Sequence, residues 1–147
     1  SREDKLEAKK FRPVRVLLVE DSEGDIYVFR RAMREAKIVA QIFTIQDGAE
    51  ALKYLEDCKD DELPDVAFLD INLPKLTGLE LLGRMSDSPR LAGIPAIMLT
   101  VSQEEEDILK AYDYGAHSFI SKTIQPENLL DVFSSIDPFV FQLTVPE

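Results

Sequence analysis

Four apolar runs in this chain each stop on a residue that carries chemistry. Val14-Arg15-Val16-Leu17-Leu18-Val19 is closed by Glu20 and Asp21, and Val66-Ala67-Phe68-Leu69 is closed by Asp70. Ala96-Ile97-Met98-Leu99 ends in Thr100, and Ser118-Phe119-Ile120-Ser121 ends in Lys122. Short, near-continuous apolar runs are what strands of a parallel sheet look like, because helices cover both faces and no polar alternation is required. The C-terminal ends of such strands deliver Glu20, Asp21 and Asp70 to one shared site. Carboxylates about 5 Å apart repel by about 3 kcal/mol per ionised pair at an effective dielectric near 20. The cluster therefore calls for a hard divalent cation, and Mg²⁺, which accepts one or two carboxylates and keeps several waters, is the expected cofactor.

The intervening segments read as helices. Ser22-x-x-Asp25 is a helix-start box, after which Ile26, Phe29, Met33 and Ala36 share one face. Residues 40–46 read as a second strand, and Asp47-Gly48 leads into a helix over 49–57 with Ala51, Leu52 and Leu55 inward. Residues 59–62 read as an acidic loop. Thr77-x-x-Glu80 opens a short helix carrying Leu79, Leu81 and Leu82, and 86–93 is a Ser/Pro/Gly loop. Ser102-x-x-Glu105 starts another helix, and its acids Glu104, Glu105, Glu106 and Asp107 are read as complementing the helix dipole rather than as a site. Gly115 is the expected stop for that helix, and Pro126 begins a last one through Phe133. Strands alternating with helices give an α/β fold with a parallel sheet.

Taken singly, each site residue has an ordinary reading: acids after a strand cap helices, a threonine caps the next helix, and most lysines are solvated. Taken together, Val19-Glu20-Asp21, Leu69-Asp70-Ile71-Asn72-Leu73-Pro74, Thr77-Gly78, Leu99-Thr100, and Gly115-Ala116 with Phe119 and Lys122 strongly resemble the receiver domain of bacterial two-component response regulators. The resemblance covers nearly everything from Val14 to Phe133. It implies a flavodoxin-like, doubly wound five-stranded parallel sheet of order 2-1-3-4-5, with helices on both faces and the crevice between strands one and three. It implies that Asp70 accepts a phosphoryl group from a sensor histidine kinase. Asp21 and Asp70 would ligate Mg²⁺ directly, the backbone carbonyl of Asn72 would be a third ligand, and Glu20 would act partly through water. Lys122 and Thr100 would stabilise the phosphoryl oxygens, and Thr100 with Phe119 would form the switch. Such a chain is a phosphoacceptor with self-dephosphorylation rather than a turnover enzyme.

Three positions depart from the family pattern. Thr123 follows Lys122 where the family has proline, so either a costly non-proline cis bond persists or the loop is rebuilt. Val101 stands where a small residue is usual and could narrow access to Asp70. Phe119 lacks the hydroxyl of a tyrosine. Val101 and Thr123 keep open a phosphorylation-independent binding scaffold on the same fold. A phosphohydrolase with Asp70 as nucleophile is the other alternative, but the second aspartate such enzymes place two residues on is here Asn72. His117 and Cys58 are read as incidental, and no nucleotide or zinc motif occurs.

The chain has 147 residues, 28 acidic and 17 basic, for a formal charge of −11. That balance argues against direct nucleic-acid or anionic-membrane partners, which need clustered cations. Without an apolar stretch of transmembrane length or a signal-peptide core, the expected location is cytoplasmic. The expected organisation is a charged extension over 1–13, a receiver domain over 14–137 and an apolar extension over 138–147. In that last segment Phe139, Phe141, Leu143 and Val145 alternate with Val140, Gln142 and Thr144 in a strand-like pattern. With the 86–93 loop, this tail resembles the stand-alone regulators associated with bacterial phytochromes, which points to a phytochrome kinase as donor. An exposed apolar strand needs a cover, supplied either by its own domain or by a partner, and the favoured expectation is a homodimer in which the tail joins the face of helix four, strand five and helix five.

Overall fold

The computed structural model describes residues 12–111, 113–136 and 142–143. Five parallel strands are present: β1 (Val14–Val19), β2 (Ile38–Ile45), β3 (Val66–Asp70), β4 (Ala96–Thr100) and β5 (Ser118–Ser121). They alternate with α1 (Glu23–Glu35), α2 (Gly48–Asp57), α3 (Gly78–Asp87), α4 (Gln103–Ala111) and α5 (Pro126–Ser134). The sheet runs β5-β4-β3-β1-β2, as the resemblance implied, and a short antiparallel β6 (Gln142–Leu143) adds to the far edge of β2.

Each central strand divides its side chains between two cores. Val14, Val16 and Leu18 of β1, with Phe68 of β3, pack beneath Phe29 and Met33 of α1 and Leu129 and Phe133 of α5. Phe29 meets Phe68 edge-on at 4.8 Å between centroids. Leu17 and Val19 face the other way, with Leu69 and Met98, against Ala51 and Leu55 of α2 and Leu81, Leu82 and Met85 of α3. Burial on both faces is the reason the central strands show no polar alternation, with Arg15 of β1 the one charged residue inside a run.

Several boundaries differ from the sequence expectation. β2 begins at Ile38 rather than at 40, because Lys37 ends the α1 turn in the left-handed region, φ 59°, where a glycine would have been the recognisable stop. The 59–62 loop contains a 3₁₀ turn over Asp60–Glu62, and α3 continues to Asp87 before its cap at Ser88. α4 ends at Ala111, so Gly115, with φ 87°, shapes the following link and does not itself stop the helix. The caps at Ser22 and Thr77 form as expected. Residues 1–11 and the tail positions Phe139, Phe141 and Val145 lie outside the described residues. The described part of the tail pairs Ile38 with Leu143 and Val39 with Gln142. β6 and β5 therefore occupy opposite edges of the sheet, so Gln142 and Leu143, the described part of the tail, lie at the edge away from β5 of their own molecule. Among the described residues no helix is long and apolar enough to cross a membrane.

Candidate functional site

Strand register assembles the site as a staircase. Val19 pairs with Leu69, so the residues that follow, Glu20 and Asp70, come off adjacent strand ends. Asp70 pairs with Leu99, which puts Thr100 one step beyond it, and Thr100 pairs with Ser121, which puts Lys122 one step beyond that. Gly78 lets α3 close up behind: a Cβ there would collide with the backbone carbonyl of Asp70.

All four strand-end groups are drawn in. Glu20 is 0% exposed, Asp70 2% and Thr100 1%. Lys122 Nζ lies 2.8 Å from Glu20 Oε1, 3.0 Å from Asp70 Oδ2 and 3.0 Å from Asp25 Oδ2. Oxygens of Glu20, Asp21 and Asp70 all fall within 4.8 Å of one another. Three carboxylates, those of Glu20, Asp25 and Asp70, thus share one ammonium, with Asp21 beside them. Although Glu20 Oε1 is in ion-pair range of Lys122, no hydrogen-bond donor is aligned on it, and it is buried. Three clustered carboxylates with one ammonium among them, and a buried Glu20 oxygen without an aligned hydrogen bond, fit a divalent cation.

The electrostatics follow from this crowding. Burial, reinforced by Asp70, pushes the Glu20 carboxyl up to about 7 against the opposing pull of Lys122 and the Ser22 N–H. Burial works against the Lys122 charge, but Glu20, Asp70 and Asp25 outweigh it and hold the amine above the ordinary lysine range. The three carboxylates thus favour the charged form of Lys122.

Asp70 Oδ1 accepts the backbone N–H of Asn72 at 3.1 Å. Thr100 donates its hydroxyl to the Ile120 carbonyl at 3.2 Å. Phe119 is half-buried against the α2/α3 core, with Lys110 Nζ 5.7 Å from its ring centroid. Val101 is 62% exposed. No peptide bond among the described residues is cis, and after Lys122 the turn is held instead by Ser121 Oγ, which accepts the Thr123 N–H at 3.3 Å. His117 bonds Ser135 Oγ at 3.0 Å, and neither it nor Cys58 is among the groups at the site.

The sequence reading missed one member of the cluster. Asp25 was read only as the partner of the Ser22 cap. Ser22 Oγ does accept the Asp25 N–H at 3.3 Å, but the Ser22 N–H goes to Glu20 Oε2 at 3.1 Å, which leaves the Asp25 carboxylate free to meet Lys122, 97 residues away. The only local signal was that Asp25 falls one helical turn after Asp21.

Known proteins are similar to this chain in sequence and fold. The profile of the response regulator receiver domain matches residues 16–134. Response regulator Rcp1 of Synechocystis sp. is 28% identical over 138 residues, spanning 91% of this chain and 94% of its own length. Its structure, solved in a Mn²⁺-bound form, covers 92% of this chain and 98% of that one with a TM-score of 0.67. The bacteriophytochrome response regulator AtBRR superposes with a TM-score of 0.79 at 30% identity, covering 92% of this chain and 99% of its own. The phosphorylated cyanobacterial phytochrome response regulator RcpA gives 0.69 at 31% identity, covering 87% and 94%.

Proposed function

This chain belongs to the response regulator receiver family, and from that premise we propose that Asp70 is its phosphoacceptor and that a histidine kinase is the donor. An Asp70 oxygen attacks phosphorus as the phosphorus–nitrogen bond to the donor imidazole breaks, giving an aspartyl phosphate and a free imidazole. Lys122, already 3.0 Å from Asp70, meets the charge on the transferred oxygens. Thr100 supplies a second donor once its hydroxyl leaves the Ile120 carbonyl, and Phe119 follows into the space behind it, reshaping the face of α4, β5 and α5.

Receiver domains bind Mg²⁺ or Mn²⁺ in an acidic pocket, and here Glu20, Asp21, Asp70 and the backbone carbonyl of Asn72 would hold Mg²⁺. Bound there, the cation would supply charge neutralisation for the crowded carboxylates and the phosphoryl oxygens. The observation that carries the reading is the buried Asp70 carboxylate, 3.0 Å from the Lys122 ammonium and clustered with Glu20 and Asp21. The test is intact mass after incubation with Mg²⁺ and acetyl phosphate. One phosphoryl addition in the parent and none in Asp70→Asn is expected; sustained turnover would favour the hydrolase, and no addition the binding scaffold.

The phytochrome regulators among the relatives support a phytochrome-type kinase as donor. A homodimer is the further part of this proposal. Within one chain β6 pairs with the edge of β2, an edge that the tail of a second copy would have to reach for the strand to be exchanged in a dimer. Truncation after Asp137 is expected to shift sedimentation from dimer to monomer; an unchanged mass in solution would remove the tail from any dimer contact.

A further inference from the structure

Glu105, one of the four acids opening α4, does more than complement the helix dipole. Its Oε1 accepts the backbone N–H of Val101 at 2.8 Å, while Oε2 accepts the side-chain amide of Asn72 at 2.9 Å, 33 residues away in sequence. The first bond belongs to helix capping, together with Ser102 Oγ, which accepts the Glu105 N–H at 3.2 Å. The second does not: it crosses from α4 to the loop that leaves β3. Both loops start at the site, since Asn72 N–H is bound to Asp70 Oδ1 and Val101 directly follows Thr100. One carboxylate thereby ties the phosphoacceptor loop to the switch-threonine loop while Thr100 is still turned toward Ile120.

We infer that Glu105 is a latch across the mouth of the site, a positioning residue that keeps the two loops joined while Asp70 is unmodified and opens when a phosphoryl group arrives. The inference rests on Asp70 being the acceptor. Two features make it selective. The latch holds Thr100 back, because moving Thr100 displaces Val101 and strains the bond to Oε1. It also sets an anion at the mouth that an incoming phosphoryl oxygen must displace, since the Val101 N–H can serve only one acceptor. Loss of the latch should therefore speed phosphorylation.

The experiment uses the full chain with Mg²⁺ and acetyl phosphate, from which Asp70 would take the phosphoryl group as the bond to the acetate oxygen breaks and acetate leaves. The rate of mass gain is followed in the parent, Glu105→Ala, Glu105→Gln, Asn72→Ala and the Glu105→Ala/Asn72→Ala pair. Glu105→Ala and Asn72→Ala should each accelerate the gain about fivefold, the factor corresponding to one ordinary hydrogen bond. The double variant should be no faster than Glu105→Ala, because both substitutions break the same bridge. Glu105→Gln keeps an acceptor for Val101 and, with the Asn72 amide turned over, a bond across the mouth; it should stay within about twofold of the parent. Acceleration by Glu105→Gln equal to that by Glu105→Ala would mean that only the charge matters, and unchanged rates or full additivity would also overturn the latch. Hydrogen exchange at the Val101 amide gives a readout independent of phosphorylation. It should quicken in Asn72→Ala as well as in Glu105→Ala, because a simple cap would not sense Asn72, and an Asn72→Ala variant without that change overturns the latch even where Asp70 takes phosphate. A parent that gains no mass overturns the acceptor reading, and the gating claim with it.

Discussion

β3 is bracketed by two aspartates with opposite surroundings. At its N-terminal end the Asp65 oxygens receive both Arg12 terminal nitrogens at 2.8 Å, and Oδ2 also takes the Arg15 backbone N–H at 2.8 Å. Every lone pair facing the protein has a donor, and the pairing is bidentate, the strongest form available to a carboxylate. At the C-terminal end Asp70 competes with Glu20 and Asp25 for one ammonium and receives one backbone N–H. The first aspartate is a finished structural joint. The second is kept short of positive charge inside a buried site, the condition under which binding a cation lowers the energy of the fold rather than raising it.

The largest test of this contrast is functional. Asp70→Asn should abolish the acetyl-phosphate-dependent mass gain altogether, whereas Asp65→Asn should leave it intact. Labelling that survives in Asp70→Asn would place the acceptor elsewhere among the acids.

Stability should move in opposite directions at the two ends. Without metal, Asp70→Asn relieves carboxylate repulsion and is expected to stabilise by about 1–3 kcal/mol in urea unfolding. Asp65→Asn leaves the Arg12 guanidinium without its charged partner and should destabilise by about 2 kcal/mol. Mg²⁺ should raise the stability of the parent more than that of Asp70→Asn, because a ligand stabilises only the state that binds it. Equal Mg²⁺ responses would deny a site shared by Glu20, Asp21 and Asp70.

The same crowding sets a pH dependence confined to the C-terminal end. Glu20 has its carboxyl raised from 4.5 to about 7 in the folded protein, chiefly by burial. Between those values the unfolded chain has already released the proton that the folded chain retains, so stability is full below about pH 4.5 and is lost as pH rises toward 7. In EDTA the loss should be on the order of 2 kcal/mol, and saturating Mg²⁺ should flatten it by favouring the ionised carboxylate. A metal-free stability that climbs over this window would reverse the assigned sign.

These two ends were unequally legible in the sequence. Glu20, Asp21, Asp70, Thr100 and Lys122 each follow an apolar run, and because parallel strands are buried on both faces the runs mark both the strands and their ends. Order across the sheet leaves no local trace; it entered through the resemblance. Asp25 reaching Lys122 and Glu105 reaching Asn72 are separated by 97 and 33 residues, and each sits in a helix-start pattern that fully explained it locally. The Asp65 joint was invisible for the same reason, since its partners come from the chain before and within β1. The start of β2 was misplaced because a lysine, not a glycine, takes the positive φ that ends α1.

The smallest effect separates burial from mere pairing at the N-terminal end. Asp60 also carries an arginine contact, to Arg90 Nε, yet its side chain is 87% exposed against 8% for Asp65. Arg90 is further held by the carbonyls of Leu55 and Cys58, so it keeps partners when Asp60 is lost. Asp60→Asn should therefore change unfolding free energy by less than about 0.5 kcal/mol, the range of exposed ion pairs, and should be the more salt-sensitive of the two N-terminal contacts. If Asp60→Asn cost as much as Asp65→Asn, desolvation would not be what distinguishes a structural carboxylate here, and the contrast between Asp65 and Asp70 would reduce to the number of cations within reach.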